Sequence, residues 1–144
     1  MDPGCKLSRE DCPIIDSPAY EAMAERRQTY ISLVGGFLWL ANMTFYQIVY
    51  AASQLARFIT NPGPAHYSAA LRVLAYLRHA EGHELRFTPS PDMPFETYVD
   101  SDWAVKFSCS GALFFYHGCL FHWFSKMQRS VSLSSAEAEY FGAM

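Results

Sequence analysis

Four carboxylates in the second half of the chain are the residues best placed to do chemistry. Asp100 and Asp102 stand two apart at the end of a β-rich run, so both can point to one face. Glu137 and Glu139 fall in the first turns of a helix predicted after Ser134. A strand carboxylate facing a helix carboxylate offers the hard oxygen ligands that Mg²⁺ takes. Such an ion activates water and steadies the leaving oxygen of a phosphodiester. Acids at strand ends and helix starts also serve simply as caps or solvated groups, so spacing leaves both readings open.

Other constellations carry less. Cys109, His117, Cys119 and His122 form a loose Cys/His group without the CxxC-type pairs of zinc sites, and read equally as hairpin residues of an aromatic sheet. Ser134 and Ser135 with His122 lack a GxSxG elbow and an ordered acid, which leaves capping as their role. Gly35-Gly36 is not a phosphate loop, since no GK[ST] follows; inside a helical pattern it marks a weak point or a close helix crossing.

The elements that must position these residues follow from composition and period. The 144 residues are 51% hydrophobic and 17% charged, which excludes a disordered tail and suffices for one compact domain or two small subdomains. No run approaches the roughly 18 apolar residues of a membrane span. Met1-Asp2-Pro3-Gly4-Cys5-Lys6 does not resemble a signal peptide, and Cys5, Cys12, Cys109 and Cys119 show no CxxC pair. Reduced thiols and an intracellular chain, cytoplasmic or nuclear and not secreted, are expected.

The net charge of −3 is unevenly spread. Residues 1–25 hold six acids and two bases; residues 26–80 hold Arg26, Arg27, Arg57, Arg72 and Arg78 and no acid; residues 81–144 hold eight acids and four bases. A basic block beside an acidic one suits a part that grips a polyanion next to a carboxylate metal site, or is a chance partition.

Residues 1–25, with Pro3, Pro13 and Pro18, predict an extended leader turning helical near Tyr20 or Glu21. Residues 26–82 predict a small helical unit. Tyr30, Leu33, Val34, Phe37, Leu38 and Ala41 have helical spacing, and so do Ile48, Ala51, Ala52 and Leu55, with Thr44 capping that second helix. After Asn61-Pro62-Gly63-Pro64, a third helix puts Tyr67, Ala70, Leu71, Leu74 and Leu77 on one face and ends near Gly82. Residues 83–94 predict a short strand, Glu84 to Thr88, and a proline-rich linker. Residues 95–144 then alternate. Phe95–Asp100, Ala112–Tyr116 and Leu120–Phe124, the last two around a His117-Gly118 turn, predict a three-stranded antiparallel meander. Ser134-Ser135-Ala136-Glu137 has the pattern of a capping box opening a final helix. The fold class is α+β.

Several long strings carry a family resemblance. Tyr30-Ile31-Ser32-Leu33-Val34-Gly35-Gly36-Phe37-Leu38-Trp39-Leu40-Ala41 resembles the YRSLVGSLLYLA segment of copia-type retrotransposon polyproteins. Tyr50 to Phe58, Asn61 to His66 and Arg72 to Leu77 continue the match. Tyr98-Val99-Asp100-Ser101-Asp102-Trp103-Ala104 resembles YSDADWA, and Ser132 to Tyr140 resembles VALSSTEAEY. The match is collinear from about residue 5 onward.

The resemblance implies the end of a reverse transcriptase, with residues 26–82 as its post-palm, thumb- or connection-like unit. Residues 95–144 would then be the start of a ribonuclease H domain, with its truncated three-stranded sheet and the beginning of a helix. It aligns Asp100 and Glu139 with the family's metal-binding Asp and Glu, and implies Mg²⁺ as cofactor. Capping logic agrees on the second: Glu137 stands three after Ser134, where a capping glutamate belongs, which leaves Glu139 for metal. Strand periodicity does not separate Asp102 from Asp100. The implied partners are an RNA–DNA hybrid, tracked through Arg57, Arg72 and Arg78 unless these line a plain solvated face, and the remainder of the polyprotein, with no membrane.

Three departures accompany the match. The later carboxylates would fall beyond Met144, and the stretch after Trp103 is short, with Lys106-Phe107 where an Arg pair is customary. Thr44-Phe45-Tyr46-Gln47-Ile48 stands in place of TRPDI. The expectation is a fragment without turnover on its own, or a non-catalytic nucleic-acid-binding or structural remnant.

Overall fold

The computed structural model describes residues 7–80, 82–102, 108–128 and 134–143. Cys5, Trp103, Lys106-Phe107 and Ser132-Leu133 lie outside the described residues. The chain is α+β, and divides into two compact units, Met1–His83 and Glu84–Met144.

In the first unit, the leading residues are not simply extended. A 3-10 turn at Arg9–Asp11 is capped by Ser8, whose side chain accepts the Glu10 N–H while Asp11 accepts the Ser8 N–H at 2.9 Å. Ser17 then caps helix α1 (Pro18–Ala22), with Pro18 as the first helical residue, where its missing N–H costs nothing. Helix α2 (Ala24–Met43), α3 (Val49–Ala56) and α4 (Pro64–His79) follow.

Three helices share one core. Tyr30, Val34, Phe37 and Ala41 from α2 meet Ile48, Ala51, Ala52 and Leu55 around α3, and Ala69, Ala70 and Val73 from α4. Five of these eleven side chains are alanines, so the helices can approach closely. The Tyr30 hydroxyl, fully buried, donates to the Leu55 carbonyl at 2.7 Å and ties α2 to the end of α3.

Three local expectations are corrected. Thr44 does not cap α3: it ends α2, its N–H returning to the Leu40 carbonyl, and a 3-10 turn at Tyr46–Ile48 leads into α3. Gly35 and Gly36 make no helix crossing; a Cβ on either would meet nothing within 4 Å, and both are exposed. The buried face of α4 runs through His66, Ala69, Ala70 and Val73, whereas Leu71 and Leu74 are exposed. Small side chains there let α4 seat against α2 and α3, and the leucines rotate outward.

In the second unit, strands β1 (Glu96–Asp102), β2 (Cys109–Tyr116) and β3 (Cys119–Met127) form an antiparallel sheet in the order β1-β2-β3. Residues 84–88 form no strand, which corrects that expectation; they have no strand neighbour, and Pro89 removes a donor just beyond. β2 and β3 join through His117 and Gly118, both with positive φ (49° and 76°), the two-residue turn whose twist matches that of the strands. A Cβ on Gly118 would press on the Met93 sulfur. Pairing shifts at Phe114/Phe115, with Phe121 as the extra residue of a bulge. Trp123, Leu120, Cys119 and Ala112 are buried, and helix α5 (Ser135–Ala143) packs against β1 and β2.

Candidate carboxylate site and basic helical surface

Asp100 sits near the C-terminal end of β1, paired with Gly111 of β2, which in turn pairs with Ser125 of β3. Its cross-strand neighbour therefore has no side chain, and Asp100 is exposed. The side chain of Asp102 lies outside the described ones. On α5 the Ser134 hydroxyl accepts the Glu137 N–H at 3.2 Å, so Ser134 is the N-cap and Glu137 stands at the third helical position. Glu139, two residues on and so about 200° around the helix, is exposed. The strand bearing Asp100 and the helix bearing Glu139 pack on each other.

As Mg²⁺ ligands the two carboxylates are suitable in type and exposure and too few in number. Mg²⁺ takes six oxygens in near-octahedral array. Among the described residues, no three His, Cys, Asp or Glu side chains gather into a group that could hold a metal. The Cys/His group likewise is not assembled. Cys109 lies at one end of the β2–β3 hairpin, 3.3 Å from the Ser125 hydroxyl, whereas Cys119 and His117 lie at the other, with His117 Nδ1 3.1 Å from the Ser90 carbonyl.

Of the basic residues, Arg57, Arg72 and Arg78 are all exposed. Arg57 follows α3, donates to Gln54 Oε1 at 2.7 Å, and lies over the Phe58 ring. Arg72 and Arg78 are six residues apart on α4, which turns their side chains about 120° from each other. The three do not form a single row. Arg26 and Arg27 are occupied with the rings of Tyr67 and Tyr20.

Sequence reasoning passed over His66. Its ring is fully buried and stacks on Phe58 at 4.1 Å between centroids, and its two nitrogens bind backbone groups on either side. The signal was present in Gly63-Pro64-Ala65-His66: Pro opens the helix, and the third helical position is where a capping-box side chain turns back to the N-cap amide.

No family model matches the chain, and no solved structure matches it. It is 38% identical over 115 residues to the secreted RxLR effector protein 161 of Plasmopara viticola, covering 77% of this chain and 81% of that protein. It is 35% identical over 142 residues to the retrovirus-related Pol polyprotein from transposon TNT 1-94 of Nicotiana tabacum, which is 96% of this chain and 10% of that polyprotein. The corresponding polyprotein from transposon RE1 of Arabidopsis thaliana is 30% identical over 136 residues, 89% of this chain and 9% of its own length.

The chain is α+β and spans about a tenth of the length of the Pol polyproteins it matches. The family is that of the copia-type retrotransposon Pol polyproteins, and this chain belongs to it. One expectation is corrected by the same comparisons. A relative matched over most of its own length is a secreted protein, which speaks against the expected intracellular, non-secreted location. The first six residues, on which that expectation leaned, lie outside the described residues. Among the described residues, no helix is long and apolar enough to cross a membrane.

Proposed function

We propose that this chain is the part of a copia-type polyprotein that joins the end of a reverse transcriptase to the start of its ribonuclease H, and that residues 1–144 alone have no turnover. The observation that carries the reading is the pairing of motif and fold: Tyr98 to Asp102 of the YSDADWA-like string lie on β1, the helix of the SSTEAEY-like string packs against that strand, and Asp100 and Glu139 are both exposed. Asp100 and Glu139 would be two ligands of a Mg²⁺ centre that acts on RNA paired with DNA. Two carboxylates leave most of the coordination to water, so the ion is weakly held and a second ion more weakly still. Arg57, Arg72 and Arg78 would add a salt-sensitive grip on phosphates.

A second reading, a non-catalytic protein acting on its own, is favoured by the 81% of the secreted effector that the chain covers. Hybrid cleavage with Mg²⁺ or Mn²⁺ tests the proposal. No cleavage is expected from residues 1–144, and appending the downstream segment of a family polyprotein should restore some, abolished by Asp100→Asn. Robust cleavage by the unextended chain, lost in Asp100→Asn, would refute the absence of turnover. An extended chain that stays inactive would favour the second reading.

A further inference from the structure

Buried histidines whose ring nitrogens bind only backbone groups are either inert core residues or groups whose charge state controls what they hold. His66 has the geometry of the second kind. Nδ1 accepts the Gly63 N–H at 2.9 Å, which requires that nitrogen to be unprotonated. Nε2 therefore carries the proton and donates it to the Ser8 carbonyl at 3.2 Å, 58 residues away in sequence. One ring thus closes the first turn of α4 and fastens the N-terminal segment to it. The seat is tight, since a Cβ on Gly63 would overlap the Asp11 carbonyl.

We propose that His66 is an acid-sensitive latch: neutral, it clamps residues 7–12 onto the start of α4, and protonation of Nδ1 releases them. An imidazolium presents an N–H to the Gly63 N–H, so the acceptor becomes a second donor facing the first. The amide is then left without its partner in a buried place, and the ring gains a charge there. Asn61 Nδ2 donates to the Pro13 carbonyl at 2.9 Å and does not titrate, so Pro13 stays tethered and the segment opens from its far end.

The groups around the ring set the direction. From the 3-10 turn, the Asp11 carboxylate favours the imidazolium. It is itself held below the ordinary carboxylate value by the Ser8 backbone and side-chain hydrogen bonds. From the end of α3, Arg57 lies over the Phe58 ring that stacks on His66 and is exposed. From α2, the Tyr30 hydroxyl is committed to Leu55. Cys12, next to Asp11, has a thiol that burial pushes up, so it stays neutral. Burial of the ring outweighs the Ser8 carbonyl and Asp11, and lowers the His66 pKa from its ordinary 6.5. A histidine depressed in the closed state and ordinary in the open one stabilises closure fully above about pH 6.5, and that stabilisation is lost as pH falls.

Amide hydrogen exchange on the full chain tests this, comparing about pH 7.5 with about pH 5 after correction for intrinsic rates. Linkage caps the loss of protection at about thirtyfold at pH 5, about 1.5 units below the open-state value. A loss of order tenfold is expected at Ser8, Glu10, Cys12 and Gly63, with α2 amides unchanged. In His66→Gln, a side-chain carbonyl takes over the Gly63 N–H without titrating, so the pH response should vanish. Unchanged protection in the natural chain, loss shared equally by α2, or a surviving response in the Gln variant would each overturn the latch. Should the variant not fold, ring-nitrogen NMR of the natural chain decides: a protonated Nδ1 at neutral pH, or a midpoint at or above 6.5, overturns it, whereas the Nε2-protonated ring with a lower midpoint supports it.

Discussion

Replacing Tyr30 with Phe isolates a buried side-chain hydrogen bond that crosses the helical core from α2 to α3. The phenol is fully buried and its oxygen lies 2.7 Å from the Leu55 carbonyl. Removing the oxygen leaves the ring packing intact, so no cavity penalty enters. The Leu55 carbonyl keeps a second donor, the Phe58 N–H at 3.1 Å, and is not orphaned. The cost is then that of a hydrogen bond lost between satisfied groups, about 1–1.5 kcal/mol. For the unit Met1–His83, that corresponds to a fall of about 4–10 °C in Tm. Tyr30→Ala adds the loss of a large buried ring and should cost about 3–5 kcal/mol. Thermal and urea unfolding of the full chain, followed by helical circular dichroism, measures both. A Phe variant as stable as the natural chain would refute the claim that this bond contributes. A Phe cost as large as that of Ala would show that the oxygen organises the core rather than decorating it.

Gly35→Ala and Gly36→Ala should each stabilise α2 by about 0.5–1 kcal/mol, because both are mid-helix, exposed and free of neighbours within 4 Å; a lower midpoint in urea for either would contradict this. Gly118→Ala should destabilise the β2–β3 hairpin by about 1–2 kcal/mol, since its φ of 76° penalises any Cβ and the Met93 sulfur occupies the space. An unchanged Tm would refute that. Affinity for an RNA–DNA hybrid should fall steeply with salt, and further in the triple Arg57/Arg72/Arg78→Ala variant; affinity indifferent to both would make these arginines a solvated face.

What the sequence by itself determined about this chain is its local chemistry. Apolar spacing before Gly82 and alternation after Phe95 separate a helical part from a sheet, because the periods of 3.6 and 2 are properties of the backbone. His117-Gly118 specifies a hairpin, since few residue pairs accept two positive φ values. Ser134 as N-cap is equally local, and the strings around Asp100 and Glu139 carry the family.

What the tertiary structure decided is which faces are used. The leucines of α4 promised the buried stripe, but the space between α2 and α3 is shaped by Ala41, Ala51, Ala52, Ala69 and Ala70. Close fit there favours small side chains over greasy ones, and Leu71 and Leu74 turn outward. Residues 84–88 have strand-like composition and no partner to pair with, so composition alone could not make a strand. His66 reads as a lone histidine on a helix until residue 8 is brought to it across 58 positions. Contacts at that separation belong to the packed chain, which is why neither its burial nor its two backbone partners can be read from spacing.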